Sequence, residues 1–398
     1  MRATVEIDAP AVMARLHRVI DHGRRFYEDL LEQNGVLRVP GHGRFRGGAL
    51  AVEDEDGETE LRGVPTVLAT GARPWIAPIP GLPSVRYVTS DDLIRMTDLP
   101  ASLIVGGAGP IACEFAQALN RLGLEVTMVL RGDAPLRGEE PEARETLLRV
   151  LRHEGVRVVT GAREIGARNV PGGTELTWKG GSATAEALLI ATGREPRVDE
   201  TDPAEGGVAL EDGGARVDAH LETTASGVWA LGDAIGGDHR RFQFTHVATH
   251  EGPQVAENAL SGAHHEPAYA TMPRVTFTDP EVAAVGLTED EARERGIEVH
   301  TCAKLVRELG KARATGETEG FVKVVTDRAS GKLVGATIMA AHAGDMLAAL
   351  TVPLHTRSGD LGPLLATTFA HPTLSEAVKV AVRDAVASAP APEAEMTT

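Results

Sequence analysis

Hydrophobic and polar positions alternate with a changing period along the chain, and each change marks an element. Over 9–34, Val12, Leu16, Val19, Phe26 and Leu30 recur at near-helical spacing, which predicts one amphipathic helix with an irregularity at His22-Gly23. Residues 45–61 alternate loosely about Asp56-Gly57, a hairpin signal, and 64–69 form an apolar strand running into Thr70-Gly71-Ala72-Arg73-Pro74. Beyond 273 the texture is one of short strands, RVTFT, VAAVGL, GFVKVVTD and KLVGATIM. The last two are joined by Arg328-Ala329-Ser330-Gly331, so an antiparallel sheet is expected. Thr288 and Glu291 make a capping box for a helix ending at Gly296. Further helices are expected over 343–355 and 374–387, and 388–398 reads as a disordered tail.

The most informative stretch is 102–137. A short apolar strand over 103–105 meets Gly107-x-Gly109-x-x-Ala112, a turn that lets backbone lie close to a pyrophosphate. A helix follows, opened by Pro110, with Ile111, Phe115, Leu119 and Leu122 as its apolar face and Gly123 as its end. Residues 126–130 form the next strand. Strand, glycine turn, helix and strand together predict a dinucleotide-binding unit, with the helix N-terminus favouring a bound anion. NAD-binding units of this type carry Asp or Glu at the end of the second strand to hold the ribose hydroxyls. Here that place is Leu130, followed by Arg131 and then Arg137, so cations stand where a 2′-phosphate would sit. NADPH is therefore expected, with NADH as the alternative if both arginines are merely solvated.

Two further patterns bear on ligands. IATGREP, over 190–196, echoes LATGARP, over 68–74, which suggests two nucleotide-binding lobes that each close on a similar strand and turn, unless so short an echo is coincidence. In VWALGDA the strand over 228–231 delivers Gly232-Asp233 at its carboxyl end, where open α/β sheets bind ligands. Asp233 is a candidate to accept a hydrogen bond from a cofactor hydroxyl, or else it caps the following turn.

Composition narrows the classes. A chain of 398 residues with 42% hydrophobic positions has room for two to four domains with real cores. Its net charge of −17 argues against nucleic acid and anionic membrane surfaces as partners. No apolar run is long enough to span a bilayer, and a cytoplasmic location is expected. Cys113 and Cys302 are the only cysteines, so neither a disulfide framework nor a zinc-ligand spacing is present, and no metal site is expected. Cys113 is expected to be a small buried packing residue.

With these residues in hand, the chain resembles the flavoprotein disulfide reductases, the family of dihydrolipoamide dehydrogenase, glutathione reductase and mercuric reductase. The similarity covers almost all of 9–386. It rests on LATGARP, VGGAGPIACE, IATGREP, VWALGDA, MPRVTFTDPEVAAVGLTEDEA and FAHPTLSEA in the family's order and spacing. The resemblance implies an α/β fold with two Rossmann-like nucleotide-binding lobes, the first incomplete, and an α+β interface domain that makes a homodimer. The expected division is an FAD-type domain over 1–97 and 198–268, an NAD(P)-binding domain over 98–197 and an interface domain over 269–387. It further implies FAD and NADPH as cofactors, bound through Thr70, Gly71, Gly107, Gly109, Ala112, Glu114, Arg131, Arg137, Gly193 and Asp233, the last on the FAD ribitol. A small molecule, disulfide or metal ion would be the substrate.

By the same resemblance His371 is the acid–base histidine, oriented by Glu376. Spacing alone leaves another reading open, because Thr373 and Glu376 are also spaced as a capping box for the last helix. The family's opening GxGxxG turn and CxxxxC pair do not occur in the sequence. The chain is thus expected to be a family member without its front end, with weak FAD binding and apolar surface left uncovered around 64–69. Two functions follow: part of an FAD-dependent NADPH oxidoreductase, or a dimeric nucleotide-binding scaffold without flavin chemistry.

Overall fold

The computed structural model describes residues 6–54, 57–63, 65–356 and 359–387. Val64, Asp56 of the expected hairpin turn and the tail over 388–398 lie outside them. The described residues divide into two compact units, one from Met1–Pro78, Tyr87–Pro100 and Leu189–Pro267, the other from Ile79–Arg86, Ala101–Leu188 and Ala268–Thr398.

The first unit opens with the helix Ala9–Gln33, whose Asp8 side chain caps Ala11 N–H. It runs without a break at His22-Gly23, because a single interior glycine weakens a helix by only about 1 kcal/mol. Met13 is its buried residue, while Val19, Phe26 and Tyr27 of the expected apolar face and its flank are exposed. An antiparallel meander follows, His42–Arg46, Ala49–Asp54 and Gly57–Leu61, one strand more than the alternation suggested. The strand expected over 64–69 spans Thr66–Leu68 and pairs in parallel with Val228–Ala230, Leu68 opposite Ala230. The helix Thr245–Ser261, rich in Thr and His and interrupted by Pro253, carried no clear helical signal in the sequence. Phe45, Leu68, Val208, Leu221, Trp229 and Val255 form the core.

The strands that run into the two echoing segments lie in different sheets, Thr66–Leu68 beside Val228–Ala230 and Ala187–Ile190 beside Ser102–Gly106, and beyond the turns Ala72–Pro74 and Arg194–Pro196 pair with each other, antiparallel. Their charged side chains tie the ladder down, with Arg73 bonded to Glu195 and Asp199 at 2.8 Å each and to Glu200 at 3.1 Å. The Asp199 and Glu195 carboxylates hold the Arg73 guanidinium pKa above its ordinary value.

In the second unit Ser102–Gly106, Glu125–Val129 and Arg157–Val159 form a parallel array, with Ala187–Ile190 as the edge strand on which the division between units falls. The helix Pro110–Arg121 covers it through Ala112, Cys113, Ala116 and Leu119 rather than through the expected Ile111 and Phe115, which are half-buried. Small side chains on that face allow the close approach that Rossmann-type helix packing requires. Three strands that the sequence left unmarked, Gly166–Val170, Gly173–Trp178 and Gly181–Ala185, form a small antiparallel sheet.

The region after 273 forms a five-stranded antiparallel sheet in the order Arg274–Thr276, Glu281–Gly286, Leu333–Ala340, Phe321–Asp327 and Val299–Leu305. The edge strand Val299–Leu305 carries no clear strand signal in the sequence, since His, Thr and Lys interrupt its apolar pattern. Val322 and Val324 face the core built with the helices Ala343–His355 and Glu376–Ala387, through Leu347, Leu350, Ala381 and Val382. The capping box of Thr288 and Glu291 is present on Glu289–Glu294, and Gly296 follows at φ +75°.

Candidate functional site

The glycine turn stands between Ser102–Gly106 and Pro110–Arg121. Gly107 has φ +154° and donates its N–H to Val129 O at 3.2 Å. Gly109 caps the helix at φ −81°, and a Cβ there would meet nothing within 4 Å. The protein's own packing does not ask for glycine at 109, and the N–H groups of the first helical turn face the same end. Ala112 is fully buried on the sheet. Glu114 Oε1 accepts the Phe277 N–H at 2.8 Å, and burial pushes its carboxyl pKa up against the lowering effect of that bond. Cys113 is fully buried, and burial pushes its thiol pKa up as well.

Leu130, where a ribose-binding carboxylate would stand, is 1% exposed. Arg131 and Arg137 are exposed, and neither side chain pairs with a carboxylate among the described residues. Between them the chain turns back toward the glycines: Leu136, at φ 52°, donates its N–H to Ala108 O at 2.9 Å. Arg137 is therefore the next residue after a direct bond to the glycine turn.

In the first unit, Leu231 N–H bonds Leu68 O at 3.1 Å, extending the parallel pair to the turn that bears Gly232 and Asp233. Gly232 has φ +61°, and a Cβ on it would come within 2.8 Å of the Ala248 Cβ. Its N–H is held at 2.5 Å by Glu251, a fully buried residue that sequence reasoning missed because nothing in the helix Thr245–Ser261 distinguishes it. The Asp233 carboxylate caps no turn: no group among the described residues hydrogen-bonds it, burial raises its pKa, and Arg194 partly offsets the rise. Gly71, at φ +69°, accepts the Arg197 N–H at 3.0 Å, Gly193, at φ +148°, accepts the Trp75 N–H at 2.9 Å, and Thr70 is exposed.

His371 precedes the last helix. Its Nδ1 lies 3.0 and 3.2 Å from the two Glu376 carboxylate oxygens, while the ring is 76% exposed. Glu376 Oε2 also accepts the Thr373 N–H at 3.0 Å. The two readings of this spacing are thus both present, since one carboxylate orients the imidazole and caps the backbone. The Thr373 hydroxyl in turn donates to Ala370 O at 2.8 Å. The Thr373 N–H and then His371 hold the Glu376 carboxyl below the usual range.

Residues 4–252 match the family model of pyridine nucleotide-disulphide oxidoreductases, and 272–382 match the dimerisation domain of the same family. The chain belongs to the pyridine nucleotide-disulphide oxidoreductase family. It is 33% identical to a mercuric reductase of Bacillus cereus over 383 residues, 94% of this chain and 59% of that protein. With a dihydrolipoyl dehydrogenase of Bacillus subtilis it shares 30% over 400 residues, 94% of this chain and 82% of the relative. The HOCl-induced flavoprotein disulfide reductase RclA from Escherichia coli superposes with a TM-score of 0.84 at 26% identity, covering 93% of this chain and 85% of that one. The fold is accordingly the mixed α/β fold of flavoprotein disulfide reductases, and the family is one of FAD-dependent oxidoreductases working with NAD(P)H. Among the described residues no helix is long and apolar enough to cross a membrane.

Carboxylates of Glu140, Glu142 and Glu289 also converge within 4.8 Å in this family member. The Lys323 ammonium sits among them, bonded to Glu140 at 2.8, Glu142 at 2.9 and Glu289 at 2.8 Å. Burial disfavours the ammonium, but the three carboxylates outweigh it and hold its pKa above the ordinary value.

Proposed function

We propose that the chain is an FAD-dependent oxidoreductase that takes electrons from NADPH and works as a homodimer through 272–382, with a disulfide, a metal ion or another small molecule as acceptor. The acceptor class follows from the relatives, whose names speak of mercuric ion, dihydrolipoyl groups and disulfides. In this reading 1–97 with 198–268 serve FAD, 98–197 serve NADPH, and 269–387 form the interface. The dinucleotide would lie with its pyrophosphate at Gly107, Gly109 and Ala112 and its 2′-phosphate toward Arg131 and Arg137, which pair with no carboxylate among the described residues. Thr70, Gly71, Gly193 and Asp233 would line the flavin. Asp233 fits a hydroxyl-bearing ligand, because its half-buried carboxylate bonds nothing among the described residues. When bound, the flavin supplies the relay of an electron pair between nicotinamide and acceptor.

The observation that carries the reading is the exposed His371 ring tied through Nδ1 to Glu376. That bond favours the tautomer with a proton on Nδ1 and orients the ring so that Nε2 is the nitrogen offered for proton transfer. Glu114, placed by the resemblance among the cofactor residues, would act through the Phe277 backbone it holds.

The test is NADPH oxidation, with a disulfide or a mercuric ion as acceptor, by the chain joined to a segment that supplies the GxGxxG turn and CxxxxC pair its sequence does not contain and reconstituted with FAD, wild type beside His371→Ala. Turnover should fall by about 10²–10⁴-fold in the variant. NADPH should also bind more tightly than NADH, by about 1.5–3 kcal/mol, with Arg131→Glu reversing the order. Equal rates with and without His371 would remove the acid–base role. A protein that binds NADPH and forms dimers yet never takes up flavin would instead be a scaffold.

A further inference from the structure

The loop over 131–140 carries both arginines that pair with no carboxylate among the described residues, and it is held at its start, middle and end. At its start, the Arg163 guanidinium bonds Arg131 O, and Gly132 O accepts the Gly161 N–H at 2.7 Å. At its end, Arg274 forks onto Glu139 through Nε at 3.1 and Nη2 at 3.3 Å, while Glu140 takes the Glu289 N–H at 2.8 Å and the Lys323 ammonium. Its middle is held from the helix Pro141–His153 by Arg144, whose Nε donates to Pro135 O at 3.2 Å and whose Nη2 donates to Asp133 Oδ1 at 2.8 Å. Arg144 is 19% exposed, while Asp133 is 88% exposed, so the guanidinium is the fixed partner and the loop is what it holds.

The division of labour among these cations is sharp. Arg144, Arg274 and Lys323 are committed to carboxylates, whereas Arg131 and Arg137 are committed to none among the described residues. Holding Pro135 matters because the next residue is Leu136, a non-glycine at φ 52° whose N–H reaches Ala108 O in the glycine turn. A leucine in the left-handed region is strained by about 1–2 kcal/mol and persists where its surroundings over-determine it. We propose that Arg144 is a specificity-positioning residue: its two-pronged hold on Asp133 and Pro135 keeps Leu136 docked on Ala108 and so presents Arg137 to the 2′-phosphate of NADPH. Arg144 itself touches no part of the dinucleotide. The inference rests on the NADPH reading given above.

The test uses the full chain without flavin, titrated calorimetrically with 2′,5′-ADP and with 5′-AMP, in wild type, Arg137→Ala, Arg144→Ala and Arg144→Lys. Lysine keeps the charge but has no second prong, so it separates placement of the loop from mere electrostatic field. Wild type should prefer 2′,5′-ADP. Both Arg144 variants should lower that preference by about fivefold with 5′-AMP affinity nearly unchanged, and amide exchange over 131–140 should quicken. An Arg144→Lys chain with wild-type preference and wild-type exchange overturns the proposal, as does equal loss of both ligands, which would mark a merely structural arginine. A wild type indifferent to the 2′-phosphate overturns both this and the NADPH reading. If Arg137→Ala loses the preference and Arg144→Lys does not, the NADPH reading stands and the bracing role falls. Should Arg144→Ala fail to fold, Arg144→Lys alone decides.

Discussion

Single side chains here carry two kinds of charge, those spent within the fold and those left over. Asp233 is of the second kind. Its pKa is raised by burial, so as pH climbs from the ordinary carboxylate value to the raised one the unfolded chain ionises first and the folded chain loses stability. Asp233→Asn should remove that loss. It is expected to raise stability at neutral pH by about 0.5 kcal/mol, a small figure because the group is half-exposed, and to leave it unchanged below both pKa values. The same substitution should weaken FAD binding by about tenfold. Thermal melts across pH check the first statement and flavin titration the second; a variant less stable at neutral pH would show that the carboxylate has a partner. His371 and Glu376 illustrate a side chain with two tasks, which no spacing rule separates, because Nδ1 and the Thr373 N–H converge on one carboxylate only after the chain turns at 371–376.

Elements here are held by ion pairs placed where apolar faces end. Phe321–Asp327 is buried on both faces: Val322 and Val324 enter the helix-covered core, while Lys323, its side chain 5% exposed, sits among three carboxylates. Removing one partner of such a buried group leaves the others uncompensated. Lys323→Met should therefore cost about 3–5 kcal/mol, and adding Glu140→Gln should recover a large part of it, measured by denaturant unfolding. A single variant within about 0.5 kcal/mol of wild type would mean that the cluster is solvated. The two ATG echoes belong to this scale as well. Their likeness in sequence was legible, but their pairing with each other was not, since β-register across more than a hundred residues is decided by tertiary contact rather than by local pattern.

At the scale of the whole molecule, the matched dimerisation segment makes self-association the chief expectation. Light scattering after gel filtration should give twice the 41.9 kDa of one chain. Phe277, 69% exposed although Glu114 fixes its backbone, is a large apolar side chain that a monomer would leave in water. Phe277→Asp should shift the protein toward monomer at micromolar concentration, and an unchanged dimer would place the interface elsewhere. The net charge of −17 predicts in addition that association strengthens with salt, as self-repulsion is screened.

By itself the sequence determined what depends on neighbours along the chain: the glycine turn and its helix, the capping box at Thr288, the small buried Cys113, the antiparallel texture after 273 and the family to which these belong. Periodicity and turn chemistry are local, so they survive in a linear reading. Only the tertiary structure decided which glycines face open space and which arginines remain unspent among the described residues. It alone chose the small face of Pro110–Arg121 for the sheet, brought Glu251 to Gly232 and set Arg144 against the loop before it. Those outcomes depend on which distant groups compete for each donor and acceptor, and that competition is resolved only when the chain is packed.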